Sequence, residues 1–296
     1  MLAGALLLAA SVPVGAELGD RLLREYTVYE NQPIIDDDAY GAGFTPSGAC
    51  IPKLGNPFAK DGASSESAPV TLYFTGGGQI SGVGVDVFGA MKPELVDAGY
   101  FIPVDKGNKL NATERYHIAV GFRGAADVCS DQIYPEKIGT SAIINPHGIA
   151  KEIPLTSKEA EEAKFHRGSC FNGMGFHYFL DLVRGPRMSW QAKNLMPVVP
   201  MYDPTTNSLN AIFFASTVNQ NSLFSSHGWE PVPLINFAMC KNWCDSDCAF
   251  SDTSIWSTMH FYFNDVKELK CPSNLKCSVP GISCCPISLV EAASLD

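Results

Sequence analysis

The sequence contains no internal run of the roughly 20 apolar residues that a membrane-spanning helix needs. It also has no cluster of basic residues, since 21 Lys and Arg against 31 Asp and Glu give a net charge of −10. A net acidic chain of this kind is not expected to bind nucleic acid or an anionic membrane surface. There is no HExxH pair for zinc and no GxSxG elbow for a serine nucleophile.

Residues 1–16 are predicted to be a secretory signal. Leu2–Ala10 is a short apolar run, and Val14–Ala16 supplies small residues where a signal peptidase reads the chain. No Lys or Arg precedes the run, which departs from the usual signal. A membrane anchor is disfavoured because the run is too short to cross about 30 Å of hydrocarbon. We therefore expect a secreted, extracellular product without a membrane span.

The ten cysteines are an even number, and all follow the predicted signal. In a secreted chain this favours disulfides, here up to five, over metal sites. Asn111 begins the only glycosylation sequon and is the predicted glycosylation site. The cysteines predicted to be disulfide-bonded are Cys50, Cys129, Cys170, Cys240, Cys244, Cys248, Cys271, Cys277, Cys284 and Cys285.

Apolar runs that flank short turns predict an all-β or β-rich fold. Val198–Tyr202 and Leu209–Phe214 enclose a turn of Asp, Pro, Thr and Asn, which is typical of a β-hairpin. Val70–Phe74 and Gln79–Phe88 enclose a glycine turn in the same way. Between the hairpins, the capping-box pattern that begins at Thr156 predicts a short linker helix.

Three other segments have weaker local patterns. Asp20–Glu25 is compatible with a short helix or a mobile arm, Asp36–Asp38 with a solvated turn, and Gly41–Pro69 with a loop. The predicted organisation is a signal (1–16), an N-terminal arm and loop (17–69), a first β half (70–155), the linker helix (156–168), a second β half (169–270) and a Cys-rich tail (271–296).

The two hairpins indicate an internal duplication. Residues 71–104 align with residues 200–233 without a gap, which places Tyr73 over Tyr202 (202 − 73 = 129). The alternative is that any two hairpins share such patterns. Duplication predicts two similar antiparallel β halves packed as a sandwich or barrel-like unit. It also predicts one disulfide within each half, Cys50–Cys129 and Cys170–Cys271.

Two histidines, His177 and His260, lie in aromatic strands with an Asp four or five residues further on. If the strands are neighbours, both imidazoles can point into one pocket, joined by His227 from a Ser–Ser–His–Gly turn. Three neutral imidazoles with an open position make a catalytic metal site, so His177, His227 and His260 are candidate catalytic residues and His177 and His260 candidate metal ligands. The alternative is that both are sheet residues hydrogen-bonded to the backbone.

The aromatic content raises the possibility of a ligand platform, against the alternative that the rings only fill the core. The predicted ligand-binding residues are Trp229, Tyr178, Tyr262, Arg184 and Arg187. Together these features predict a secreted, disulfide-stabilised β-protein that acts as an extracellular binding or matrix protein for a small-molecule or carbohydrate ligand. The alternative is a secreted enzyme, a metal-dependent oxidoreductase or a hydrolase, with a histidine pocket between the halves. No motif indicates a cofactor, apart from one metal ion if the histidines converge.

Overall fold

The computed structural model describes residues 17–25, 29–60, 69–104, 114–124, 127–180, 195–220, 228–231, 257–267 and 269–272. The predicted signal (1–16) lies outside these residues. So do the predicted sites Asn111, Arg184, Arg187, His227, Cys240, Cys244, Cys248, Cys277, Cys284 and Cys285.

The described residues form sixteen strands and three short helices. The first half of the chain contains β1 (Leu22–Arg24), β2 (Glu30–Gln32), α1 (Asp36–Gly41), β3 (Phe44–Pro46), β4 (Asn56–Lys60), β5 (Val70–Phe74), β6 (Ile80–Phe88), α2 (Pro93–Asp97), β7 (Ile102–Pro103) and β8 (Arg115–Gly121). The second half contains β9 (Ile143–Ile144), β10 (Lys151–Glu152), α3 (Ser157–Glu162), β11 (Phe165–Phe171), β12 (Gly175–Leu180), β13 (Val198–Tyr202), β14 (Leu209–Ser216), β15 (Glu230–Pro231) and β16 (Ser257–Tyr262).

The strands form two antiparallel sheets that pack as a sandwich, as the sequence predicts. The first sheet has the order β10-β9-β8-β6-β5-β4-β3, with β7 also paired to β8. The second has the order β11-β12-β13-β14-β16-β1-β2, with β15 also paired to β16. One continuous apolar core joins the sheets, and the rings of Phe122 and Phe263 meet within it at 5.4 Å. None of the described helices is long and apolar enough to cross a membrane.

The strand order shows the duplication directly. In the first sheet β3, β4, β5, β6 and β8 occupy the places that β11, β12, β13, β14 and β16 occupy in the second. The remaining places in each sheet are filled by strands from the other half of the chain. β9 and β10 extend the first sheet, whereas β1 and β2 extend the second. The chain therefore consists of two repeats, β1–β8 and β9–β16, that exchange their first two strands.

Left-handed backbone conformations recur at equivalent positions of the repeats, which supports the same alignment. Such conformations are uncommon outside glycine. Up to the start of β12, equivalent positions of the two repeats are 120 or 121 residues apart (145 − 25 = 120). From the turn between β13 and β14 onward, they are 129 residues apart (207 − 78 = 129). The seven equivalent pairs are Glu25/Asn145, Tyr29/Ala150, Gly43/Lys164, Lys53/Gly173, Gly55/Gly175, Gly78/Asn207 and Gly99/Gly228.

Both disulfides predicted from the duplication are present. Cys50 is bonded to Cys129, and Cys170 is bonded to Cys271. Each joins the chain near the β3 or β11 edge of a sheet to the segment that follows β8 or β16. The two bonds are therefore equivalent under the repeat.

Several local predictions were wrong. Gly41–Pro69 contains β3 and β4, Asp20–Glu25 contains β1, and Asp36–Asp38 opens α1. β1 is held by β16, far away in sequence, while β3 and β4 extend the sheet from β5, and local composition does not reveal either pairing.

The ungapped alignment of the hairpins was also wrong by one residue. Phe74 pairs with Ile80 in the first repeat as Tyr202 pairs with Leu209 in the second. Tyr202 is therefore equivalent to Phe74, because the second turn has one residue more than the first.

A candidate ligand-binding cleft beside α3

A cleft of about 740 Å³ lies between α3, strands β11 and β12, and the turn that joins β13 to β14. The connection at Thr156 positions α3, since its backbone forms a bridge to Ser208 and the Ser157 amide donates to the Asn207 carbonyl at 2.9 Å. We call this cavity the α3 cleft. Its charged and aromatic lining residues are Lys158, Glu161, Arg167, Phe176, Tyr178, Tyr202 and Asp203.

Three of these lining residues, Phe176, Tyr178 and Tyr202, are aromatic. Tyr178 and Tyr202 contact each other edge to face, with ring centroids 4.9 Å apart. The Tyr202 hydroxyl donates to the Pro154 carbonyl at 2.7 Å, which fixes its ring. Of the predicted ligand-binding residues that the structure describes, Tyr178 lines this cleft, whereas Trp229 and Tyr262 are buried in the core.

Two side chains are held in position against these rings. The Arg167 guanidinium lies 4.8 Å from the centroid of Phe176, a cation–π contact. The Tyr178 hydroxyl donates to the Glu161 carboxylate at 3.0 Å. Burial, together with the Glu161 charge, raises the pKa of Tyr178, so its hydroxyl remains a donor at neutral pH. The polar groups of the cleft are therefore held in position over a floor of buried rings, with Phe176 8%, Tyr178 2% and Tyr202 0% exposed.

The charges that line the cleft balance. Lys158 and Arg167 are cationic, whereas Glu161 and Asp203 are anionic. The Asp203 carboxylate also accepts the amides of Thr205 and Thr206, at 2.6 and 3.2 Å, which shapes the turn at the cleft edge. This lining offers hydrogen-bond donors and acceptors without a net charge.

At the equivalent turn of the first repeat, the described chain packs closely on the turn. A side chain on Gly76 would meet the backbone oxygen of Ser130 at 2.5 Å, and one on Gly77 would meet that of Gln132 at 2.6 Å. The chain that follows Cys129 thus packs directly on a turn without side chains. In the second repeat Pro204, Thr205 and Thr206 occupy the turn, so the same close approach is sterically prevented there.

A second cleft of similar volume, about 740 Å³, lies on the other side of α3. It is lined by aliphatic, small and charged side chains from residues 140–143 and 149–155, and none of its lining residues is aromatic. The α3 cleft is thus the better candidate for a site that binds a ring-shaped ligand.

The two candidate histidines lie on one face of the second sheet, on either side of Phe213. The His177 ring centroid is 5.9 Å from that of Phe213, and the His260 centroid is 5.1 Å from it on the other side. Both histidines are buried. The row continues through Tyr262, which stacks on His260 at 6.0 Å and contacts Tyr29 at 5.4 Å.

His260 has an acidic partner in this row. Its Nδ1 contacts the Glu230 carboxylate from the neighbouring strand β15. Within the described part of the chain, no group of three or more His, Cys, Asp or Glu side chains is arranged to hold a metal ion. Trp229 is buried, and among the described residues its indole N–H has no hydrogen-bond partner.

Sequence reasoning missed a polar network on the first sheet. The Asp86 carboxylate accepts from Arg115 Nε at 3.0 Å and lies 2.8 Å from His117 Nδ1. His117 Nε2 is 2.7 Å from the Tyr73 hydroxyl. Asp86 is the one charged residue within the apolar strand β6, and a buried carboxylate needs a partner, so this position could have been recognised.

The role of this network is to link strands β5, β6 and β8, and not to present a reactive group to a substrate. Burial and the nearby Asp86 charge raise the pKa of Tyr73, so its hydroxyl stays protonated. The Asp86 carboxylate accepts from Nδ1 of His117. Tyr73 is only 3% exposed, which leaves its hydroxyl out of reach of a substrate. Gly84 makes room for the network, since a side chain there would meet the His117 ring at 2.6 Å.

No family model matches the chain, and neither a curated protein nor a solved structure shows significant similarity to it.

Proposed function

We propose that this protein is a secreted, disulfide-stabilised β-protein that binds a small neutral ligand, a carbohydrate, in the α3 cleft. The observation that carries the proposal is the lining of the cleft, where prepositioned aromatic rings stand beside two cations and two anions. The rings form the buried floor of the cleft, and the hydroxyls of a sugar both donate and accept hydrogen bonds, which the charged side chains above that floor can satisfy. A balanced lining favours such a ligand over a charged one.

The test is calorimetric titration of the purified protein with a panel of neutral mono- and disaccharides. Arg167→Ala removes both a donor and the cation over Phe176, and we expect at least a tenfold loss of affinity, about 1.4 kcal/mol. Tyr178→Phe removes one hydroxyl and should weaken binding by a smaller factor.

Tyr116→Phe is the matched control, since the Tyr116 hydroxyl also donates to a glutamate, Glu114, at 3.1 Å but far from the cleft. It should leave binding unchanged. Saccharide binding that survives Arg167→Ala, or an absence of binding across the panel, would refute the proposal.

Secretion is the second part of the proposal. The two disulfides support an oxidising compartment. When the chain is expressed in secreting cells, we expect to recover the protein from the culture medium with its N-terminus close to Glu17. Its mass should fall on deglycosylation, because Asn111 is the predicted glycosylation site. Retention of the product with an intact Met1 would contradict this part alone.

A secreted enzyme remains the second candidate. The specific observation for it is the His260–Glu230 contact, in a row of rings that also contains His177. A carboxylate on Nδ1 orients an imidazole for proton transfer or metal ligation at Nε2. Because the Phe213 ring lies between the two histidines, the enzyme is the second candidate and not the first. About one bound metal per chain, lost in His260→Ala and retained in His147→Ala, would reverse the order.

A further inference from the structure

The turn between β11 and β12 contains a pair of residues that can react with each other. Asn172–Gly173 is the one Asn–Gly pair in the sequence. In such a pair the glycine amide nitrogen can attack the carbonyl carbon of the asparagine side chain, because glycine has no side chain to obstruct the approach. A carbon–nitrogen bond forms and ammonia leaves, which gives a cyclic imide. Water then opens the imide to aspartate or isoaspartate.

Both reacting groups are held by hydrogen bonds in the folded chain. The Asn172 side-chain oxygen accepts from the Cys271 amide at 2.9 Å. The amide of the buried Gly173 donates to the Leu269 carbonyl at 3.0 Å. Ring closure requires the Gly173 nitrogen to lose its proton and the Asn172 side chain to turn towards it, so both hydrogen bonds must break first. The folded turn therefore holds the pair in an unreactive arrangement.

A disulfide fastens the segment that makes these two hydrogen bonds. Leu269 and Cys271 belong to residues 269–272, and Cys271 is bonded to Cys170, which precedes Asn172 in the chain by two residues. The pair becomes reactive when this segment lifts from the turn, and such a local opening is easier when fewer links hold the segment. The Cys170–Cys271 bond therefore controls access to the reaction.

The first repeat shows that the fold does not require an Asn–Gly pair at this turn. Its equivalent residues are Pro52 and Lys53 (173 − 53 = 120), and Lys53 shares the left-handed conformation of Gly173, with φ of 67° and 82°. Pro52 has no carboxamide, so the equivalent disulfide, Cys50–Cys129, protects no such reaction. Two bonds that are equivalent in the fold thus differ in this property.

We propose that Asn172–Gly173 is a site of spontaneous deamidation, which the Cys170–Cys271 disulfide keeps inactive and which reduction of that bond releases. A thiol reductant converts the disulfide into two thiols and is itself oxidised, and the later steps need only water. Loss of ammonia makes the change irreversible, and isoaspartate adds one carbon atom to the main chain of the turn. The modified turn is therefore a permanent record of a period of reduction.

The modification site belongs to the hairpin that lines the α3 cleft. The turn joins β11 and β12, which carry Arg167 and Tyr178, and the fastened segment contributes Pro272 to the same lining. The proposal itself rests on the chemistry of the turn and holds whatever ligand the cleft binds.

The test follows deamidation in the purified full chain at neutral pH, by peptide mapping with mass spectrometry. A synthetic peptide of residues 171–176 gives the rate of the unprotected pair. We expect Asn172 to react about tenfold or more slowly in the native protein than in the peptide, because the reaction needs local opening. For the same reason, Cys170→Ala/Cys271→Ala should raise the rate in the folded chain by about tenfold.

Cys50→Ala/Cys129→Ala is the matched control, because it removes the equivalent bond, of similar loop length, and leaves the segment over Asn172 fastened. Its Asn172 should stay protected. Leu269→Ala keeps both disulfides but removes a buried side chain of the fastened segment, so it should raise the rate by a smaller factor. Asn172→Gln should remove the modification, because glutamine forms the corresponding larger ring far more slowly.

Three results would overturn the proposal. The first is a native protein that reacts as fast as the peptide. The second is an equal rise in the two disulfide variants, which would assign the protection to overall stability. The third is an unchanged rate in Cys170→Ala/Cys271→Ala. Far-UV circular dichroism shows which variants are folded, and where that variant does not fold, Leu269→Ala decides alone: an unchanged rate there overturns the proposal.

Discussion

At the scale of single residues, the repeats share glycines where the backbone leaves no alternative. Gly55 and Gly175 are equivalent, with φ of 113° and 95°. A side chain on Gly55 would meet the Phe74 carbonyl oxygen at 2.4 Å, and one on Gly175 would meet that of Tyr202 at 2.2 Å. Both strain and steric overlap exclude a side chain, which is why the two glycines occupy the same place in each repeat.

We predict that Gly55→Ala and Gly175→Ala each lower the free energy of unfolding by more than about 1 kcal/mol. Gly41→Ala is the control, because a side chain there meets nothing within 4 Å and its φ is not left-handed. It should be neutral or slightly stabilising at the end of α1. Urea unfolding of the three variants measures the difference. Equal midpoints for all three would show that the backbone relaxes freely at both sites.

Residues at equivalent positions have also diverged. In the described residues, His117 contacts Asp86 in the first sheet and His260 contacts Glu230 in the second. By strand register, His117 corresponds to Thr258 and His260 to Ala119. The two contacts therefore arose separately, and neither is an inherited site that both repeats preserve.

At the scale of elements, α1 and α3 show how one helix has been adapted in two ways. Thr156 caps α3 in a complete capping box with Glu159, whereas Ile35 at the equivalent position makes no side-chain cap. A missing cap leaves an amide of the first turn without an intramolecular partner. Three acidic residues, Asp36–Asp38, offset this through the helix dipole.

We predict opposite effects for the two caps. Thr156→Ala should lower the free energy of unfolding by about 1 kcal/mol, and Ile35→Thr should raise it by about 0.5–1 kcal/mol. Thermal or urea unfolding measures both changes. A gain in stability in Ile35→Thr would show that α1 lacks only the side-chain cap that Thr156 gives α3. Destabilisation by Ile35→Thr would show instead that the isoleucine supports the fold.

At the scale of the whole molecule, the strand exchange makes the two repeats interdependent. Each sheet lacks two of its strands unless the other repeat supplies them. The apolar core is likewise continuous across both sheets. The chain should therefore unfold in one cooperative transition, although it contains two copies of one structural unit.

The two disulfides allow this to be tested. They close loops of similar length, with sequence separations of 79 and 101 residues, so loop entropy gives each a stabilisation of about 4–5 kcal/mol. Cys50→Ala/Cys129→Ala and Cys170→Ala/Cys271→Ala should each shift a single calorimetric transition downward by a similar amount. Two separate transitions in either variant would mean that the repeats unfold independently.

The sequence by itself determined the two long hairpins, the linker helix and the two disulfides seen in the described residues. Alternation and turn residues place β5, β6, β13 and β14, because a hairpin is a local structure with a local code. The capping box at Thr156 places α3 for the same reason. Cys50–Cys129 and Cys170–Cys271 followed from the duplication, since equivalent halves require equivalent bonds.

Only the tertiary structure decided how the repeats combine and where their surfaces lie. β1 and β9 are three and two residues long and pair with strands of the other repeat, β16 and β8, while β2 and β10 pair in turn with β1 and β9. The α3 cleft joins Arg167, Tyr178 and Asp203 from three separate elements, and the polar network joins Tyr73, Asp86 and His117 from three strands of the first sheet. Such sites depend on register between distant segments, and register is set by burial in the assembled core.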